Sequence, residues 1–255
     1  MMLAVMLSAR VLAALMAVSV LLPLGSRAAE SVTADYVLPR GYPRSYSTLV
    51  ERGRGEGLLR VYAAGDTFDL TALIRDFRSL HPQIEIDYQN LHTAQLYQRF
   101  LTEVASGTES ADLLISSAMD LQTKLVNDGF AQAYTSPEKP QLQDWALWKN
   151  EAYSVSVEPI VIVYNQHLLK PEDVPTTRAD LEQLLRRRGA EFHGKISLYD
   201  PAQSSAGFLY LTQDIQASLD TWDLLRAIGR TQPRLSTSGS DILSDISTGK
   251  TLLAY

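Results

Sequence analysis

The chain has 255 residues, 45% hydrophobic and 20% charged, with four histidines and no cysteine, which leaves room for two compact cores. The absence of thiols excludes disulfide scaffolds, thiolate zinc sites, iron–sulfur ligation and cysteine nucleophiles. With 29 acidic against 23 basic residues the net charge is -6, which argues against a nucleic-acid partner, since such proteins carry a basic face.

In chain order, the first feature is an apolar run from Val11 to Leu24, broken only by Ser19 and Pro23 and preceded by Arg10. It is too short to span a bilayer comfortably, and Ser26 and Ala28 supply the small residues of a cleavage site. Residues 1–28 are therefore expected to be a cleavable signal that sends the protein to the periplasm. Cleavage would remove Arg10 and Arg27 and leave the exported chain more acidic still. Without a lipobox cysteine no lipid anchor is expected. Residues 29–57, punctuated by Pro39, Gly41, Pro43, Gly53, Gly55 and Gly57, read as an arm or linker without regular structure.

From Leu58 the pattern becomes regular. Leu58–Ala63 predicts a strand, and Leu70, Leu73, Ile74 and Phe77 predict a helix that His81-Pro82 stops. Ile84 to Tyr88 alternates as a strand, Leu96, Phe100, Leu101 and Val104 form a helical stripe, and Asp112 to Ile115 is a third strand. A helix from Met119 to Asp128 follows. The β-branched run Val157 to Tyr164 suits a strand buried on both faces. A second set comprises a helix over Thr177–Arg188, a strand over Ile196–Tyr199, and helices after Ser204-Ser205, through Trp222 and Ile228, and from Ser240 to Thr248. Gly107, Gly129, Gly189 and Gly249 stand where helices should exit through a left-handed residue. Strands alternating with helices give an α/β class built of parallel βαβ units. The chain divides into 1–28 (signal), 29–57 (arm), 58–160 (lobe 1), 161–250 (lobe 2) and 251–255, the start of a return crossover strand.

Most chemistries find no support. His81, His92, His167 and His193 are scattered with no ligand spacing, so no metal ligand set or cofactor is expected, and no G-x-S-x-G elbow is present. Gly249-Lys250-Thr251 imitates a P-loop but follows a helical pattern where a strand is required. Arg186-Arg187-Arg188 suits a solvated helix end. An enzyme is not expected, because no nucleophile, base and orienting group assemble. What survives is a set of hydroxyl-bearing loops before helices: Asp66-Thr67, Ser116-Ser117, Ser204 to Gly207 and Ser236-Thr237-Ser238. One such loop alone is an ordinary helix cap. Recurring in both lobes, at the carboxyl ends of strands, they place hydroxyls and free N–H groups around an anion.

Several segments carry a resemblance: Leu59 to Ala64, Ala111 to Asp120 around Ser116-Ser117, the Glu158 to Asn165 crossover, Asp200-Pro201 with Ser204 to Gly207, and Gly249-Lys250 before Leu252 to Tyr255. In their order the chain resembles the iron(III)-type family of periplasmic solute-binding proteins of ABC transporters. The resemblance implies a two-lobed type II periplasmic binding protein fold with a hinged ligand cleft, a membrane permease as partner, and a monomer. In iron-binding members the metal is held by two late tyrosines, with help from a histidine in the first loop and a glutamate after the third strand. Here those loops hold Asp66-Thr67 and Ser116-Ser117, while the family's anion loop has a counterpart in Ser204 to Gly207. Neutral hydroxyls and N–H groups suit an oxyanion better than ferric iron. The expected ligand is thus a small anionic solute, a phosphorylated or phosphonate-type organic compound. Ferric iron is the alternative, and a ligand sensor acting with a membrane receptor is another. The expected contacts are Thr67, Ser116, Ser117, Ser205 and Gly207, with Ala64 and Gly65 allowing close backbone approach. Glu158 either bonds a ligand hydroxyl or amine or pins the hinge, the hinge role being preferred. Tyr62 and Tyr164 could line the cleft, but aromatic residues in strands are more often core. Family members continue beyond the point matching Tyr255 to close their first lobe, so a C-terminally truncated chain with exposed apolar sheet surface is the further expectation.

Overall fold

A computed structural model describes residues 2–5, 37–64 and 67–255. The expected signal, apart from residues 2–5, lies outside the described residues, as do Gly65 and Asp66. In chain order the main elements are β1 (Met2–Val5), α1 (Ser45–Glu56), β2 (Leu58–Ala63), α2 (Thr67–Leu80), β3 (Glu85–Asn90), α3 (Thr93–Ser106), β4 (Leu113–Ser116), α4 (Met119–Asn127), β5 (Leu147–Trp148) and β6 (Ala152–Ser154). The second lobe contributes β7 (Val163–Tyr164), α5 (Arg178–Arg188), β8 (Ile196–Tyr199), α6 (Ser205–Ala217), α7 (Thr221–Arg230), β9 (Arg234–Ser236), α8 (Gly239–Ser247) and β10 (Leu253–Ala254).

Two sheets result, ordered β3-β2-β4-β1-β6-β5 and β7-β10-β8-β9. In the first, β2 pairs parallel with β3 and β4, while β1 runs antiparallel between β4 and β6. Alternation along β2 turns Tyr62 to one face and Val61 and Ala63 to the other. On the first face Tyr62 and Leu114 pack against Leu96 and Phe100 of α3 and Leu125 and Val126 of α4. On the second, Val61, Ala63, Ile86 and Ile115 meet Leu70, Ile74 and Phe77 of α2. The second sheet is covered the same way. Ile196 and Leu253 lie under α5 and α7 through Leu181, Leu185, Leu224 and Ile228, and Ala254 lies under α8 through Ile242 and Ile246. Each apolar stripe at helical spacing thus finds a sheet face, which is the α/β class expected.

Four expectations are corrected. The arm holds α1, a twelve-residue helix with buried Val50, closed by Gly57 at φ 73°. Two internal glycines, each costing about 1 kcal/mol of helix propensity, hid it from the pattern. The run 155–162 is not a buried strand: Val155, Val157, Ile160 and Val161 are exposed, and only Val163–Tyr164 pairs, with β10. β-branched residues favour extended backbone, yet a strand also needs a partner edge, and this stretch passes from one sheet to the other. Gly189 is helical, φ -54°, because the chain tightens into a 3₁₀ turn over Gly189–Phe192, and the left-handed turn falls at Gly194, φ 65°. Residues 253–254 lie inside the second sheet, between β7 and β8, because the backbone of Leu253 and Ala254 pairs with both.

Candidate functional site

A cleft of about 890 Å³ opens where the carboxyl ends of strands in both sheets face each other. Its first-lobe wall is Ala63 at the end of β2 with Ala64 after it, Asn90 at the end of β3 and Ser117 after β4. Its second-lobe wall is Tyr199 at the end of β8 and Thr237 after β9. This is the crevice where open α/β sheets take ligands. Three helices begin on its walls. Their N-cap residues, His92 of α3, Ser204 of α6 and Ser238 of α8, all line it. Ser204 Oγ accepts from the Gly207 N–H at 3.1 Å and Ser238 Oγ from the Asp241 N–H at 3.3 Å. A capping serine that accepts still has its own proton to donate. His92 caps α3 without a side-chain bond, and His92, Thr93 and Gln95 line the cleft at the positive end of the helix dipole.

Between the lobes stands Glu158 on the crossover. The Tyr210 hydroxyl donates to its Oε2 at 2.8 Å, and Ser117 lies beside the same carboxylate. Glu158 thus stands between Ser117, after β4 in lobe 1, and Tyr210 of α6 in lobe 2. Burial pushes Glu158 up, but the bonds from Ser117 and Tyr210 lower it, and it lies below the usual carboxylate range, ionised at neutral pH. The Tyr210 phenol is raised, by burial and by its bond to Glu158, and stays protonated. Among the described residues lining the cleft there is no lysine or arginine, and Glu158 is the single carboxylate. No group of three or more His, Asp or Glu able to hold a metal occurs among the described residues.

Of the residues singled out from sequence, Ser117, Glu158 and Ala64 stand on the cleft wall. Ser116 is buried one residue behind, its Oγ accepting from the Ala118 N–H at 3.1 Å. At the start of α6 it is Ser204 that takes the wall position, with Ser205 next to it in the first turn. Gly207 is buried, its N–H bonded to Ser204, and it lines an adjoining, mostly apolar cavity of about 380 Å³. Its lack of a side chain serves packing: a Cβ there would lie 2.7 Å from Tyr199 Cβ, and one on Gly239 would lie 2.6 Å from the Tyr199 hydroxyl. Tyr199 is thereby seated against the starts of both α6 and α8. Thr67 opens α2, with only its backbone described, and Gly65 lies outside the described residues. Tyr62 is core, its hydroxyl bonded to Glu103, whereas Tyr164 is half-exposed on β7. Asn90, His92, Thr93 and Gln95 line the cleft without having been singled out, and Thr237 and Ser238 of the expected hydroxyl-bearing loop line it too. The rule that ligands meet strand carboxyl ends applies equally to β3 and β9, and it points to them.

A family model described as bacterial extracellular solute-binding protein matches residues 59–254. None of the curated proteins matches the chain. Among solved structures, the substrate-binding protein of an ABC transporter from Agrobacterium tumefaciens is 36% identical with a TM-score of 0.75, over 78% of this chain and 58% of that one. The periplasmic binding protein AfuA from Actinobacillus pleuropneumoniae, with exogenous fructose-6-phosphate bound, is 17% identical with a TM-score of 0.65, over 78% and 63%. Iron-bound HitA from Pseudomonas aeruginosa is 15% identical with a TM-score of 0.59, over 77% and 61%. The last two likenesses speak for the fold, and the chain spans less than two thirds of the length of each of the three. With the family model spanning residues 59–254, which include every described residue of the cleft, the chain belongs to the bacterial extracellular solute-binding proteins.

Proposed function

We propose that the protein is the periplasmic substrate-binding component of an ABC importer, closing its two lobes on a small anionic organic solute, phosphorylated or phosphonate in kind, for delivery to a membrane permease. The observation that carries this reading is the convergence of three helix N-termini, from both lobes, on one cleft whose walls also carry hydroxyls and amides. Backbone N–H groups at helix starts and the dipoles behind them bind oxyanions without a fixed cation. The fold alone does not choose the cargo, since one solved relative holds a sugar phosphate and another holds iron. The wall chemistry supports the organic anion. Ferric iron asks for several hard anionic oxygens, whereas the described wall offers one carboxylate and a Tyr210 phenol that burial and Glu158 hold protonated.

Calorimetric titration of the purified chain with glycerol 3-phosphate, phosphonoacetate and ferric citrate tests this. Saturable binding of an organic phosphate or phosphonate is the expected result. Binding of ferric iron with none of the organic anions would overturn the reading.

A further inference from the structure

The cleft walls carry leucines as well as hydroxyls and amides. Leu70 of α2 and Leu91 after β3 line it from lobe 1, and Leu243 of α8 lines it from lobe 2. Leu70 and Leu91 are half-buried, packed against the two cores of the first lobe. Leu243 is held differently. On α8 it is Ile242 and Ile246 that are buried against the second sheet, whereas Leu243 is 55% exposed and stands four positions after Gly239. Residues at that spacing share a helix face, and here both border the cleft. A single exposed leucine is ordinary on an open surface; this one faces a cavity. With Glu158, Tyr199, Tyr210 and Gly239 it also lines the adjoining apolar cavity, so apolar surface continues from one into the other.

A solute whose oxyanion sits at the helix starts brings its organic part against these leucines. They offer no partner to a hydroxyl, so a polyol would give up hydrogen bonds to water there without replacing them. A hydrocarbon gives up none and takes the exposed Leu243 out of water. Each methylene fully buried is worth about a fourfold gain in affinity. On this basis, and resting on the oxyanion reading above, we infer that the cargo is an oxyanion with an apolar substituent, an alkyl or aryl phosphonate or phosphate ester, and that Leu243 is the specificity-determining residue that selects the substituent. Polyol phosphates, sugar phosphates among them, are discriminated against by the same side chains.

Three phosphonates with one head group separate the possibilities: methylphosphonate, n-butylphosphonate and 3,4-dihydroxybutylphosphonate, the last two sharing a carbon chain. In calorimetric titrations of the full chain, n-butylphosphonate is expected to bind at least about tenfold more tightly than either of the others, a difference of one decade in Kd. In L243S its advantage over the dihydroxy compound is expected to fall below about threefold, with methylphosphonate bound within about twofold of its native affinity. The native series stands alone, so the test survives a variant that fails to fold. Equal affinity for the butyl and dihydroxybutyl compounds in the native chain, or preference for the second, would overturn the apolar selection and assign Leu243 to a protein contact, while leaving oxyanion binding intact. An unchanged spread in L243S would overturn the role of Leu243. Binding of none of the three would overturn the oxyanion reading, and the selection with it.

Discussion

Tyr199 shows how a single side chain shapes the cleft without any motif to announce it. It ends β8, faces the cavity, meets Tyr210 edge-on with ring centroids 6.0 Å apart, and is flanked by two glycines that open their helices. Gly207, read from the sequence as a ligand contact, also leaves room for the Tyr199 Cβ. Gly207→Ala forces a Cβ-to-Cβ overlap close to backbone, which cannot relax by swinging a side-chain tip. It is expected to cost about 1–3 kcal/mol through overpacking, seen as a lowered urea midpoint, and to weaken solute binding by displacing the start of α6. Gly239→Ala meets only the tip of the tyrosine and is expected to cost less, which the same measurement compares directly. The lesson at this scale is that small residues in a loop before a helix carry two meanings, close ligand approach or close side-chain packing. Sequence does not separate them, because the neighbour that decides lies on another element.

Among the elements, α3 is held to β2 by a polar knot. Glu103 accepts from Arg99 Nε at 2.7 Å, Ser110 Oγ at 2.7 Å and the Tyr62 hydroxyl at 3.0 Å. Arg99 also lies over the Tyr62 ring, 4.5 Å from its centroid. Burial pushes the Glu103 carboxyl up, but the bonds from Arg99, Ser110 and Tyr62 outweigh it and hold it below the usual range. A carboxyl depressed in the folded state adds stability that is complete above its unfolded value, 4.5, and is lost as pH falls through the folded value. Glu103→Gln is expected to destabilise the chain by about 2 kcal/mol at neutral pH, since the Tyr62 and Arg99 donors lose a charged acceptor. It should also flatten the acid side of the stability profile, which denaturant melts between about pH 7 and about pH 3 will show. The elements themselves were largely legible. The strand at Leu58–Ala63 and the stop at Gly107, φ 68°, follow from apolar period and from glycine's access to left-handed backbone. Those missed, α1 and the unpaired 155–162 stretch, are decided by what lies beside them in space: Val50 finds a burial site despite two glycines, while the β-branched run finds no edge to pair with until Val163.

For the molecule as a whole, the crossover leaves an apolar band exposed, with Val157 68% and Val161 55% accessible beside the apolar 380 Å³ cavity. Contiguous apolar surface of this kind is sticky. The isolated 255-residue chain is expected to bind a hydrophobic dye strongly, and V157T/V161T to reduce that signal with little loss of secondary structure by circular dichroism; a dye-negative native chain would refute this. The same crossover carries Glu158, so the segment with the least regular structure holds the one charge on the described cleft wall. By itself the sequence determined the α/β class, most helix and strand positions, and the kinship with solute-binding proteins, because these rest on local periodicity, capping residues and the order of segments. Only the tertiary structure decided which hydroxyls face the cleft, that Ser116 and Gly207 are built into the walls behind it, and that Ser117 and Tyr210, 93 positions apart in number, meet on Glu158. A binding site is a juxtaposition of residues from many strand ends, and that juxtaposition is fixed by how two separately folded sheets face each other across the hinge.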